Sequence, residues 1–408
     1  MKGWQTIKIA NLCDVENTFV QTGPFGSQLH ESDYSMDGIP VIMPKDISNG
    51  KILTTSIARV SENHVQRLKR HKVLPGDIVY GRRGDIGRHA LITELESGWL
   101  CGTGCLLIRL NKLKVNSIYN HYYLSQQPII DYVANQAIGA TMPNLNTKIL
   151  KNIPLYLPPM PIQQKIAAVL SAYDDMIENN NRRIAILETM AEEIYKEWFV
   201  RLRFPGHEKV KIVKGMPEGW EVKKIKEVVD RKGFGRIYRE SELQPEGKII
   251  VIDQSLNEYL GFYDGEPAHS ATEDSPIMLF GDHSCKMQIM ITPFSLAENV
   301  IPFVAKGKMP TAFLFYLIHN SIETTEYKRH WTELVNKEVY IPKEHLQNEF
   351  ARIVISNIHQ KEKLISINRR IKIVRNRLLS PLMSGKIDVE HLDIQFPDSM
   401  KEEAAANA

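Results

Sequence analysis

The stretch Gly81–Gly87, GRRGDIG, sets two arginines between glycines, a loop that can offer guanidinium groups to phosphate oxygens or base edges. It lacks the Gly-Lys-Ser/Thr ending of a nucleotide P-loop and misses the spacing G-x-G-x-x-G. A tight turn between strands is therefore expected, with Arg82 and Arg83 free at its tip. Around it, Arg59, Arg67, Lys69, Arg70, Lys72, Arg82, Arg83 and Arg88 face only Glu62, Asp77 and Asp85. That local excess is the footprint of a nucleic-acid surface, whereas the net charge of +3 alone decides nothing. Lys45 joins these candidates for DNA contact. GATMPNLN (Gly139–Asn146) reads either as a loop into a short helix capped by Asn144 or Asn146, or as a DNA-facing loop offering Thr141 and Asn144. Further along, RKGFGRIYR (Arg231–Arg239) interleaves basic residues with Phe234 and Tyr238, which suits a nucleic-acid surface or a glycine-bent strand. Lys232 and Arg236 are its candidates, followed by His283, Lys286, Lys306, Lys308, Lys328 and Arg329.

Catalytic patterns are missing. A DNA methyltransferase needs a glycine-rich cofactor loop and an Asn/Asp-Pro-Pro-aromatic tetrapeptide, but Pro158–Pro159 follows Leu157. The nuclease-like EGK at Glu246–Lys248 has no aspartate in a convincing frame, and no helicase P-loop is present. Cys13, Cys101, Cys105 and Cys285 form no disulfide framework. Cys101 and Cys105 would need two more ligands to hold zinc and read better as small buried residues. The expectation is a reader of nucleic acid with no catalytic, cofactor-binding or metal-binding residues of its own.

What positions these residues is a chain of 408 residues, long for a single core. No apolar run approaches the ~18 residues that span a bilayer, and MKGWQTIKIA lacks the apolar core of a secretion signal. The cytoplasm is expected.

The chain repeats itself. NRRI occurs at Asn181–Ile184 and again at Asn368–Ile371. Tyr156–Leu157–Pro158 precedes the first copy as Tyr340–Ile341–Pro342 precedes the second, each followed by a long helical pattern. GWQTIKIANL at Gly3 resembles GWEVKKIKEV at Gly219. Each half reads as a Gly-Trp opening, a strand-rich body with short helices, a proline gate and a long helix. In the first helix Ile166, Leu170, Tyr173, Ile177, Asn180, Ile184 and Leu187 alternate at spacings of four and three, a heptad seam that buries a narrow stripe. Carrying the NRRI offset over gives Ile353, Asn357, Gln360, Leu364, Ile367, Ile371, Val374 and Leu378, a seam polar at its start and apolar from Leu364. Such helices pack on each other or each on its own body. A helix from Ile166 to Trp198 would run ~50 Å, wider than most domains, which favours a pair standing between bodies. Asn180 on the seam lowers stability but fixes register. Arg182–Arg183 and Arg369–Arg370 are either a solvated flank or a contact to phosphate or an acidic partner.

The Gly-Trp openings, PGDIVYGRRGDIG, and GATMPNLN leading through IPLYLPPMPIQQKIAAVLSAYDDMI resemble the specificity subunit of type I restriction-modification systems. The resemblance covers nearly the whole chain, though the second half is the looser copy and shows no match to RRGDIG. It implies an α+β fold: two similar mixed α/β target-recognition domains separated by a pair of long antiparallel coiled-coil helices, with a pseudo-twofold internal repeat. The boundaries expected are recognition domain 1 at 1–157 and a central helix at 158–204. A linker with recognition domain 2 follows at 205–340, then a distal helix at 341–390 and a flexible tail at 391–408. The resemblance further implies that each domain reads half of a bipartite site in double-stranded DNA while the helices act as spacer. Two methyltransferase subunits and motor-nuclease subunits are the implied partners, and S-adenosylmethionine, ATP and Mg belong to them. A DNA-modifying enzyme in its own right, or a scaffold that binds no DNA, are the competing readings.

Overall fold

The computed structural model describes residues 3–137, 144–323, 326 and 328–400; Thr141 lies outside them. The chain divides into two compact units, Met1–Glu178 with Arg369–Ala408, and Asn179–Asn368.

In the first unit, β1 (Gln5–Lys8) pairs antiparallel with β9 (Pro154–Leu157), so the body opens and closes in one ribbon. Gly3 makes the entry possible: at φ +90 it brings Trp4 against Tyr156, ring centroids 4.7 Å apart, and an added Cβ would crowd Pro159. Between the ribbon strands lie β2 (Phe19–Thr22), β3 (Ile39–Ile42), β4 (Ala58–Val60), β5 (Ile78–Gly81), β6 (His89–Leu91), β7 (Leu100–Cys101) and β8 (Cys105–Arg109). One sheet runs β2-β8-β5-β6. In the other, β3 lies between parallel β7 and antiparallel β4. Helices Ser117–Leu124 and Gln127–Gln136 follow. Cys101 and Cys105 are buried in the core between the sheets, with Ile42, Val79 and Leu107.

The second unit repeats this plan. β10 (Glu221–Lys224) pairs with β18 (Glu338–Ile341) as its ribbon. Within it come β11 (Val229–Arg231), β12 (Ile249–Ile252), β13 (Gly261–Tyr263), β14 (Ile277–Gly281), β15 (Met287–Met290), β16 (Phe294–Leu296) and β17 (Val300–Ala305). The order β11-β17-β14-β15 matches β2-β8-β5-β6, and β12 sits between parallel β16 and antiparallel β13 just as β3 sits between β7 and β4. The apolar helix Thr311–Ile318 covers it.

Each gate leads into a long helix, Met160–Tyr195 and Glu344–Met383. Prolines end the preceding strands, and Gln163 and Gln347 donate their amides to the carbonyls of Pro158 (2.9 Å) and Pro342 (2.7 Å). Neither helix contains glycine; Gly385 at φ +72 closes the second. Within the second unit the helices run antiparallel. Asn180 Nδ2 donates to Asn368 Oδ1 at 2.8 Å, Lys361 meets Glu188 at 2.7 Å, and Tyr195 lies against Phe350. Within the first, Arg375 pairs with Asp174, and Leu382 and Met383 enter the core beside Ile166 and Leu170.

The seam differs from the expected one in phase. Ile166, Leu170, Ile177, Asn180 and Leu364 are buried. Tyr173, Ile184, Leu187, Ile371 and Leu378 are half-buried. Ile367 and Val374 are 37% and 43% exposed, so they leave the seam. The second helix is also not polar at its start, because Phe350, Val354 and Ile358 are buried there. The reason at that start is three added residues: Gln347 repeats Gln163 and Asn368 repeats Asn181, but the second pair is 21 residues apart where the first is 18. An offset taken from NRRI therefore fails near the gate.

Asn368, buried at 6% exposure, also donates to Asn181 Oδ1 at 2.9 Å. Asn180→Leu alone strands a buried amide and should cost ~1–3 kcal/mol. The double change Asn180→Leu with Asn368→Leu should recover much of that loss while freeing the register. Comparative melting decides: a double variant less stable than either single one contradicts this pairing.

The stretch after the second helix, expected to be a free tail from residue 391, is packed as far as residue 400. Val389 and Met400 are buried, Lys165 Nζ donates to the carbonyls of Glu390 (2.7 Å) and Leu392 (2.9 Å), and Ser399 donates to Asp175. Apolar side chains at Ile387 and Ile394 account for this docking.

Two buried histidines, His71 and His89, and the half-buried His121 are expected to make the first unit acid-sensitive. His89 and His121 stand with ring centroids 5.0 Å apart, and burial holds both imidazoles below their ordinary value of 6.5. Arg375 adds to the effect at His121, and burial drives His71 down to about 4. A proton therefore binds the unfolded chain more readily than the folded one. Stability should be complete above pH 6.5 and fall as the pH drops from there toward 4. A melting temperature flat between pH 7.5 and 5 would contradict this.

Candidate DNA interface

In the first body, β5 ends at Gly81 and its chain turns through 82–88 into β6. Arg82 is not free at the tip of that turn. Its Nε donates to Asn144 Oδ1 at 2.9 Å and to Leu145 O at 3.1 Å, and its carbonyl accepts from the Leu145 N–H at 3.0 Å. The guanidinium is half-buried because it holds two distant stretches together. Arg83 beside it is exposed. Pro44 packs against Gly81 and Gly104, which brings the exposed Lys45 to the same edge. Lys45, Arg82, Arg83 and Asn144 thus converge from three separate segments. Their donors can meet phosphate oxygens or the acceptor edge of guanine, and the Asn144 amide suits adenine.

The second body presents the corresponding edge at Gly281. Asp282 is buried at 8% exposure, and its Oδ1 accepts from the N–H groups of His330 (3.1 Å) and Trp331 (2.9 Å). Arg329, with a side chain 78% exposed, places Nε 3.8 Å from Asp282 Oδ2. His283 Nδ1 stands 3.1 Å from Lys328 O, and its N–H donates to Gln254 Oε1 at 3.1 Å. A Cβ on Gly281 would come within 3.1 Å of Gln254 Cβ, so glycine admits that close approach.

Residues 1–189 match the model of the type I restriction modification DNA specificity domain. The first half of this chain is similar to such a domain. Over its length the chain is 25% identical to the type I restriction enzyme MjaIX specificity subunit of Methanocaldococcus jannaschii, covering 96% of this chain and 95% of that one. It is 27% identical to the MjaVIII specificity subunit of the same organism, over 73% and 76% of the two chains. The crystal structure of a type I system S subunit from M. genitalium superposes with a TM-score of 0.56 at 16% identity, covering 97% and 96%, and so shares the fold.

Of the first body's other basic candidates, Arg88 lies beside Gly81, its carbonyl accepting that glycine's N–H at 2.9 Å. Arg67, Lys69 and Arg70 are exposed on the helix Glu62–Arg67 and the turn after it. Arg67 donates to Gln28 O at 2.9 Å, and Gln21 donates to the Arg70 carbonyl at 2.6 Å. Arg88 is exposed but paired with Asp85 at 3.0 Å. In the second body Lys232 stands 4.0 Å from Asp230, while Lys306 and Lys308 are exposed on the turn after β17. Lys286 is half-buried, donates to Asn257 O, and has its ammonium pKa lowered by desolvation. Arg236 donates to Glu242 at 2.7 Å and lies 4.6 Å from the ring centre of Tyr238, in a cleft with Tyr263 and Ser295. Sequence reasoning missed Gln254 and Asp282. Neither is basic, and only the strand order that aligns Gly281 with Gly81 exposes them.

Proposed function

We propose that this chain is the DNA sequence-specificity subunit of a type I restriction-modification complex. The observation that carries it is the duplicated body. Two units of one strand order, each with a basic edge at a strand-end glycine, suit the reading of two half-sites by one polypeptide. The domain limits we assign are 1–157 and 205–340 for recognition, with 158–204 and 341–390 as the helical spacer. A helix of 36 residues is ~54 Å long. That suffices to set half-sites about one DNA turn apart, ~34–36 Å between centres. The chain supplies recognition and no catalysis; S-adenosylmethionine, ATP and Mg act on the methyltransferase and motor-nuclease subunits, in the cytoplasm. No described helix is long and apolar enough to cross a membrane.

Each long helix carries a second stripe, exposed and mixed in character. Met176, Asn179, Arg183, Ile186 and Met190 form it on the first helix, and Lys363, Ile367, Arg370, Val374 and Arg377 on the second. Apolar and basic side chains repeating at heptad spacing in water suit docked helices of the two methyltransferase subunits.

The test is to reconstitute the chain with its methyltransferase subunits and sequence the methylated DNA. A bipartite motif with a fixed gap is expected, and binding to duplex should fall steeply with salt. Arg83→Ala should cost ~1–3 kcal/mol and relax one position in one half of the motif. Uniform loss across all sequences would make Arg83 a phosphate contact instead.

A further inference from the structure

The two bodies share a joint whose side chains are opposite in kind. In each, the residue after the strand-end glycine accepts, at its carbonyl, an N–H from the segment beyond the body's helices: Leu145 to Arg82 at 3.0 Å, His330 to Asp282 at 2.8 Å. In each, the residue two beyond the inner strand backs that glycine, Pro44 behind Gly81 and Gln254 behind Gly281. The first body then fastens the joint with a cation. Arg82 donates to Asn144 and Leu145. The second uses an anion, Asp282, which accepts from His330 and Trp331.

The geometry points to a base-reading edge in the second body formed by Gln254 and Arg329, with Asp282 as the residue that positions Arg329. This deepens the specificity-subunit reading and rests on it. Asp282 sits at the meeting of three segments: the one after β12 with Gln254, its own loop, and the stretch 328–331 with Arg329. Its carboxylate is buried and satisfied by two backbone donors, so the stretch carrying Arg329 is held in place while the guanidinium stays in solvent. Gln254 has its Oε1 set by the His283 N–H, and its amide donors have no partner among the described residues. An arginine fork matches guanine O6 and N7, and a glutamine amide matches adenine N6 and N7. Arg329 stands where Asn144 stands around Arg82, and Gln254 where Pro44 does, so the halves would read different bases with one frame.

The experiment uses the full chain reconstituted with its methyltransferase subunits, with the methylated motif read by sequencing. Arg329→Ala and Gln254→Ala should each relax a single base pair within the same half of the motif, by ~10–100-fold in discrimination, leaving the other half and the gap unchanged. Asp282→Ala should relax the same position that Arg329→Ala relaxes, and Asp282→Asn, which keeps an acceptor oxygen for the two N–H groups, should restore it. Arg83→Ala should act on the opposite half. The proposal is overturned if Arg329→Ala and Gln254→Ala weaken methylation evenly over all sequences, change both halves, or change neither. If melting shows that Asp282→Ala does not fold, the Arg329 and Gln254 variants still decide. A wild-type complex that methylates without a bipartite motif would instead sink the specificity-subunit reading itself.

Discussion

Deleting Arg182–Glu188 together with Lys361–Ile367 should shorten the gap in the methylated motif by three base pairs. The two segments face each other within the second unit, since Glu188 meets Lys361 at one end of the cut and Asn180 meets Asn368 just beyond the other. Each deletion removes one heptad, two turns, so the seam keeps its phase and the buried stripes still meet. The strut loses ~10 Å at 1.5 Å per residue, which is about three steps of 3.4 Å along the duplex. Both half-site sequences should survive, because neither body is touched. Sequencing the methylated positions reads the result directly. A gap of unchanged length would mean that something other than the helix pair measures the distance.

Phe350→Ala should lower the stability of the second unit by ~3–5 kcal/mol. Phe350 has no exposed surface and is ringed by aromatics, with centroids 5.8 Å from Tyr195, 6.1 Å from Trp198, 5.4 Å from Phe199, 6.0 Å from Phe313 and 5.5 Å from Tyr316. It joins the gate end of one long helix to the far end of the other and to the helix that covers the body. Rings packed edge to face cannot collapse into the void without losing their own geometry, so the cavity should persist. Urea unfolding at matched slope measures the change. A loss under ~1 kcal/mol would show that the neighbouring rings refill the site.

Local signals were legible in the sequence, and long-range partners were not. Heptad spacing and prolines announced the long helices, and the glycines of GRRGDIG announced the hairpin between β5 and β6. Arg82 was misplaced at a free tip because its partners Asn144 and Leu145 lie beyond two helices in the chain. Phe350, Val354 and Ile358 were missed near the gate because an offset taken from NRRI carries no information about the three residues inserted before it. Asp282 was passed over because a search for DNA contacts looks for cations, whereas its task is to hold backbone. Residues 391–400 read as tail because sparse apolar residues without periodicity show no partner until the fold supplies one.

The ribbons β1–β9 and β10–β18 have a consequence for inheritance. Each lobe enters and leaves at adjacent points, so everything between is a closed excursion from the helical frame. A stretch of gene exchanged between those points would deliver a foreign lobe ready to close on its own two strands. Such an exchange would redirect target choice in one recombination event while the machinery beside it stays as it was.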